Sequence, residues 1–385
     1  MLTPTEIARE LLAPTKVWHV VQIGDSRNAA KQKFVCTYTG LAWGGSSAVS
    51  MLPYDSTGHT SAWNALAGGV ATENVYIPGD PANAIASVVY NTSVFTGAAE
   101  PSGAFSQLAY GAFPLDEYPL VKSRLIANGG GAKVKSIYRK HASSIAGGDG
   151  VRLELVEGTS SEVVLASATI TDATGTGLAV AELAIPPGFD WLSRPNPYLR
   201  WRATPGGTNP ENAIFQWADQ PWIESTGPCL VHHTEAMSGG RWSWWVDTGF
   251  CPLSRWSDFH ALYGVDRILW SSVGANSWGQ TVEQNVSDLT EIISRFRVAC
   301  PEGPVVLENQ YPCQSTAGRV STWREAIFQV AAVTPGVLVL DSYGLHDFEW
   351  WYSRGLMGDG VHASDPGVAQ YMTDVGTMAR FRGRT

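Results

Sequence analysis

Residues 17–30 read "VWHVVQIGDSRNAA", and the meaning of this stretch decides the fold. Val17, Val20, Val21 and Ile23 are β-branched, which stiffens χ1 and favours a strand packed among neighbours. The run stops at Gly24-Asp25-Ser26 and gives way to a polar, alanine-containing segment. A short apolar strand that ends in a turn and leads into a helical segment is the opening unit of a parallel α/β sheet. Ser26 then has two readings. It is a helix cap, a position Ser favours because its hydroxyl accepts an orphan backbone N–H, or it is a nucleophile at the end of a buried strand.

Four more short apolar runs predict strands: 243–248 "SWWVDT", 267–273 "RILWSSV", 304–309 "PVVLEN" and 337–341 "VLVLD". Segments 253–263, 281–298 and 319–332 carry helical patterning, and in the second Val286, Leu289, Ile293 and Phe296 recur on one face. The expected fold class is therefore α/β: a doubly wound, flavodoxin-like core with a parallel five-stranded sheet. The interval between the first two predicted strands is far longer than a normal crossover. Within it, residues 116–230 give alternating runs such as "AKVKSIYRK", "GVRLELVEG" and "EVVLASATI", punctuated by Gly, Asp, Asn and Pro. That pattern predicts an antiparallel, sandwich or jelly-roll-like β unit. Residues 53–115, rich in Gly, Ala, Ser and Asn, show weak periodicity and receive no assignment. The expected organisation is a discontinuous core, 1–52 and 236–385, carrying a mainly β insert at 53–235.

Composition narrows the function classes. Among 385 residues, 26 Lys and Arg stand against 35 Asp and Glu, a net charge of −9, which argues against nucleic acid as a partner. No run of eighteen apolar residues occurs, so no membrane span is expected. Glu6, Arg9 and Glu10 would interrupt the apolar region of a signal peptide, so export by that route is not expected; a cytoplasmic, virion-associated or trimmed secreted protein fits. The cysteines at 36, 229, 251, 300 and 313 are scattered without a CxxC and read as buried thiols, with one bridge left open. Eight of the 16 tryptophans fall between Trp217 and Trp278, and core filling competes with a sugar-facing surface as their explanation. In the insert, Trp191, Arg200, Trp201 and Arg202 carry the same two readings.

Open α/β sheets bind ligands outside the carboxyl ends of their strands. After the first predicted strand comes Gly24-Asp25-Ser26; after the second, Gly249 in "DTGFCPL"; after the third, Gly274 and Asn276 in "SVGANSWG"; beyond the last, Asp359 and His362 in "GDGVHASDPG". This ordered set resembles the SGNH, or GDSL-type, hydrolases, whose blocks are Gly-Asp-Ser, Gly, Gly-x-Asn-Asp and Asp-x-x-His. The third block departs from that pattern, because Ser277 stands where the family has Asp. The resemblance covers the core alone and implies a serine ester hydrolase.

The residue chemistry supports the same roles. A serine hydroxyl needs a base, and of eight histidines His362 alone lies three residues after an aspartate in a glycine-containing turn. Asp359 would orient the imidazole, and the Ser26 N–H, the Gly249 N–H and the Asn276 amide would receive the oxyanion. Asp365 competes with Asp359, but Pro366 follows it and favours a helix-cap role. His232-His233 lack a third ligand at metal spacing, so neither metal nor cofactor is expected. Trp350-Trp351 either wall the site or fill core. The expected activity is hydrolysis of acyl esters, foremost O-acetyl, on a carbohydrate or a small ester. The alternatives are a lipase or thioesterase, and a non-catalytic carbohydrate-binding or virion surface protein on a hydrolase scaffold.

Overall fold

In a computed structural model of the chain, Val17–Gly24 forms β1, an inner strand of a parallel sheet. The structure describes residues 1–25, 228–236, 240–248, 255–273, 275–277, 279–314 and 321–384, with short segments elsewhere, most of them strands between 34 and 225. The other sheet strands are β2 (Glu73–Val75), β3 (Cys229–Ala236), β4 (Arg267–Ser272), β5 (Val305–Asn309) and β6 (Val337–Asp341). They stand in the order β6-β5-β4-β1-β3-β2. Without the three-residue edge strand β2, the order by chain position is 2-1-3-4-5, the flavodoxin-like doubly wound arrangement. β1 pairs with β3 from Val17↔Cys229 to Gly24↔Ala236, and with β4 from His19↔Arg267 to Gly24↔Ser272.

Among the described residues the α-helices are α1 (Pro4–Leu12), α2 (Trp242–Val246), α3 (Val282–Ala299), α4 (Ser321–Val333), α5 (Phe348–Ser353) and α6 (Asp365–Arg384). Strand side chains alternate between faces, and both faces are apolar. Trp18, Val20, Ile268, Trp270, Val306, Leu338 and Leu340 pack with Ile7 and Leu11 of α1 and Tyr371, Val375 and Ala379 of α6. Ile23, Leu269, Val305, Leu307 and Val337 pack with Trp242 and Trp245 of α2, Leu289 and Phe296 of α3, and Trp323 and Ile327 of α4. The sheet is thus covered on both sides, as near-continuous apolar strands require. Capping boxes start two of the helices: Thr3 with Glu6 at α1, and Thr281 with Gln284 at α3.

Four of the five expected core strands are present; the run 243–248 is not a strand. It lies mostly in α2, where Trp242 and Trp245 are fully buried three residues apart, the spacing of one helical face. The second strand in chain order is instead β3. Its second half, His232-His233-Thr234-Glu235, breaks the apolar run that marks the others, yet the backbone ladder to β1 is continuous. The division expected at 235/236 therefore falls at the end of a core strand rather than before one. β2 also lies inside the interval 53–235, and it joins the core sheet at its edge beside β3. The alternating segments of that interval form two four-stranded sheets with antiparallel pairing. One is built on 151–157 between 163–170 and 198–203, the other on 132–139 with 178–184 and 222–225. Cys251, Cys300 and Cys313 are buried, as read from the sequence. Among the described residues, no helix is long and apolar enough to cross a membrane.

The chain enters α6 through a tight loop. Ser364 Oγ accepts the Gly367 N–H at 3.2 Å, so Ser364 is the cap, one position earlier than the Asp365 cap expected from sequence, and Asp365 is the first helical residue. The Ser364 N–H donates to the Leu356 carbonyl at 2.9 Å, closing residues 356–364 into a loop. A Cβ on Gly367 would fall on the Leu356 carbonyl oxygen, which is backbone and cannot swing aside. Gly367→Ala is therefore expected to lower stability by about 1–3 kcal/mol, the usual range for overpacking. Urea unfolding monitored by tryptophan fluorescence checks it, and an unchanged midpoint would mean that this loop does not pack on the helix start.

Candidate active site

In a 2-1-3-4-5 sheet the connection from the first strand and the strand on its other side diverge, leaving a crevice at their carboxyl ends. Here that switch point lies where β1 and β4 stop. Asp25 follows β1 directly and is fully buried, while Ser26, Gly249 and Gly274 lie outside the described residues. The Gln310 side-chain amide donates to Asp25 Oδ1 at 3.4 Å and also to the carbonyl of Ser272, the last residue of β4. Gln22 Nε2 donates to Ser272 Oγ at 2.9 Å. Amides buried in the sheet thus join the ends of two neighbouring strands, which satisfies groups that would otherwise be costly to bury.

Asn276 sits in a single 3₁₀ turn, Ala275–Ser277, just past β4. Its side chain is partly exposed. Ser277, which replaces the family's Asp, is fully buried. Its Oγ accepts the Trp242 N–H at 3.4 Å, and its carbonyl accepts from Asn285 Nδ2 at 3.4 Å. Trp242 Nε1 in turn donates to Ser271 Oγ at 2.9 Å. The turn bearing Asn276 is thus tied to α2, to α3 and to the end of β4 without a carboxylate.

The Asp-x-x-His block folds on itself. Asp359 Oδ1 accepts the backbone N–H groups of Val361 and His362, each at 2.6 Å, and Oδ2 lies 2.9 Å from His362 Nδ1. Partial burial pushes the Asp359 carboxyl up, but the His362 ring and the two backbone N–H groups outweigh it and hold the pKa at about 2. A carboxylate ionised at neutral pH only accepts, so Nδ1 carries the proton of the Asp359–His362 bond and Nε2 is the basic nitrogen of the neutral ring. The turn is anchored from outside. The Gln314 N–H donates to the Gly360 carbonyl at 2.7 Å, and the Ala363 N–H donates to the Tyr311 hydroxyl at 3.1 Å. A Cβ at position 360 would lie 2.5 Å from Gln314 Oε1, the end of an exposed side chain that can move aside.

Asp359 is bonded to His362; Asp365 is the first residue of α6, and its side chain lies outside the described residues. Trp351 is fully buried and stacks on Tyr311, so it is core and not a substrate wall. Trp350 is stacked by His346 at 3.5 Å, and Arg354 lies 4.3 Å over its ring. Trp191 and the side chains of Arg200, Trp201, Arg202, His232 and His233 lie outside the described residues. Sequence reasoning missed Gln310 and Tyr311. The signal was present: they directly follow the "PVVLEN" strand, at the same carboxyl edge that singled out the other blocks.

No family model matches the chain, and no curated protein matches its sequence. Solved structures do match. A peptidoglycan O-acetylesterase aligns over 99% of this chain and 96% of its own, at 14% identity and a TM-score of 0.52. A family 3 carbohydrate esterase from Talaromyces cellulolyticus aligns over 40% of this chain and 73% of its own, at 15% identity and a TM-score of 0.32. A member of the lipolytic G-D-S-L family from Veillonella parvula aligns over 39% of this chain and 79% of its own, at 17% identity and a TM-score of 0.28. The first of these, alone with a TM-score above 0.5 among the three, shares the α/β fold that the four sequence blocks imply.

The depressed Asp359 pKa has a signed consequence. A carboxyl lowered on folding contributes stability above its unfolded pKa of ~3.9, and that contribution is lost as pH falls through the folded value of about 2. Carbon-13 NMR of the Asp359 carboxyl is expected to titrate near pH 2; a midpoint near 4 would mean that the Asp359–His362 bond does not form in solution.

Proposed function

We propose that this chain is a serine esterase that removes acyl groups, foremost O-acetyl, from a carbohydrate. The observation that carries this reading is the Asp359 carboxylate bonded to His362 Nδ1, in a turn anchored to the segment that also holds Asp25. In the proposed reaction Ser26 Oγ attacks the ester carbonyl carbon while His362 Nε2 takes the hydroxyl proton. Asp359 keeps the imidazole in the Nδ1–H tautomer and stabilises the imidazolium. The tetrahedral oxyanion accepts from the Ser26 N–H, the Gly249 N–H and the Asn276 amide. Collapse expels the sugar hydroxyl with the proton from His362, leaving an acyl-serine. Water, deprotonated by the same nitrogen, then cleaves that ester to release the acid. One ester and one water give one acid and one alcohol, and every proton moves through His362.

Several features favour a small acyl group on a glycan. A long acyl chain needs an apolar groove, each buried CH₂ contributing about 0.8 kcal/mol. The strand-end segments "GDSRN", "VGANSWG" and "DGVHASD" offer small and polar residues with an indole nearby. The fold shared with a peptidoglycan O-acetylesterase along nearly the whole chain agrees with a glycan polymer as the acyl carrier. In this reading, the antiparallel segments between 112 and 225 form a sandwich-like accessory unit that helps hold the glycan, with Trp191 or Trp201 as contacts.

Ser26→Ala and His362→Ala are each expected to cut kcat on p-nitrophenyl acetate by ~10⁴-fold or more with folding intact, because the two act as one proton-transfer unit. Asn276→Ala should lower kcat by ~10²–10³-fold with little change in KM, since its amide bonds the transition state. Rates should fall from acetate to octanoate esters, and an O-acetylated glycan should outperform a simple acetate ester. Near-normal turnover in the Ser26 or His362 variant would overturn the mechanism, and equal or faster octanoate cleavage would favour a lipase.

A further inference from the structure

The five residues Gln310-Tyr311-Pro312-Cys313-Gln314 leave the carboxyl end of β5 and touch both halves of the candidate site. Toward one half, the buried Gln310 amide donates to Asp25 Oδ1 and to the Ser272 carbonyl. Toward the other, the buried Tyr311 hydroxyl receives the Ala363 N–H at 3.1 Å, one residue after His362. The Gln314 N–H holds the Gly360 carbonyl, inside the Asp359–His362 turn, at 2.7 Å. Tyr311 is itself rigid. Its ring stacks on Trp351 and meets Tyr371 edge-on, each with centroids 5.0 Å apart. The contacted halves are remote in sequence, Asp25 near one end of the chain and His362 near the other.

We infer that segment 310–314 is a brace that sets the spacing between the nucleophile turn and the histidine turn, with Gln310 and Tyr311 as positioning residues. The inference rests on the esterase reading above. Proton transfer between two side chains on separate turns tolerates little misplacement; a shift of about 1 Å can cost ~10²-fold in rate. The histidine turn has its own local hydrogen bonds and can hold its internal shape without the brace. Those bonds do not set its distance from Asp25.

The test uses the full chain with Gln310→Ala, Tyr311→Phe and the double variant. Tyr311→Phe keeps the stacked ring and removes only the hydroxyl. Each single variant is expected to lower kcat on p-nitrophenyl acetate by about 10–100-fold with KM within about twofold. The double variant should lose little more than the worse single, because one spacing can be lost only once. Gln310→Glu should not restore activity, since it sets a second carboxylate against Asp25, whereas Gln310→Asn retains an amide donor and should recover part of it. Unchanged kcat in both singles, or losses that multiply fully in the double, would overturn the brace. If the unmodified chain hydrolyses no ester, the esterase reading fails, and the brace is then judged by the separation of the two turns alone. A crystal structure of Tyr311→Phe in which the His362 turn moves by about 1 Å or more relative to Asp25 supports the brace, and an unchanged separation overturns it.

Discussion

Everything in this molecule hangs on the placement of β1. The strand is hydrogen-bonded on both sides, to β3 and to β4, and is packed on both faces. Trp18 and Val20 face α1 and α6, while Ile23 faces the side of α2, α3 and α4. A slip of one residue would send each of these side chains to the wrong face, so the register has no near-degenerate rival. Fixing the register also fixes where the strand ends, and therefore where Asp25 stands. The chemistry at that edge is inherited from packing elsewhere in the sheet.

A second constraint acts on the polar groups that this packing buries. Gln22, Asp25, Ser272 and Gln310 are almost fully buried, and such groups need partners. They find them in one another. The Asp359–His362 turn follows a different logic. It lies at the surface and gets its shape from hydrogen bonds between residues two and three apart, which also keep the carboxyl ionised far into acid. One half of the site is rigid because it is buried; the other is rigid because it is locally closed.

This difference explains what could be read in advance. Strands β1, β4, β5 and β6 announce themselves as short apolar runs, and the Asp-x-x-His block is legible because its geometry is contained in four consecutive residues. β3 was missed because its membership depends on a ladder to β1 some two hundred positions earlier, while His232-His233-Thr234-Glu235 dilute its apolar signal. The reverse error at 243–248 has a matching cause. Tryptophans three apart serve a buried helix as well as an apolar run serves a strand, and a short window does not separate them. Gln310 and Tyr311 carry no motif at all. Their place directly after the "PVVLEN" strand was legible, but the partners the fold sets around them are not encoded in a window of neighbours.

The distance between β1 and its partners also orders events in time. β1 is synthesised about 200 residues before β3 begins at Cys229. At the usual 5–20 residues per second, that interval lasts on the order of 10–40 s. For that whole period a strand built to be buried on both faces has neither neighbour, and its open edges are available to any other unpaired strand. The antiparallel segments between 132 and 225 pair mostly with one another, so they can assemble on the ribosome while β1 still waits. Nascent chains of this protein therefore carry a prolonged demand for chaperone protection.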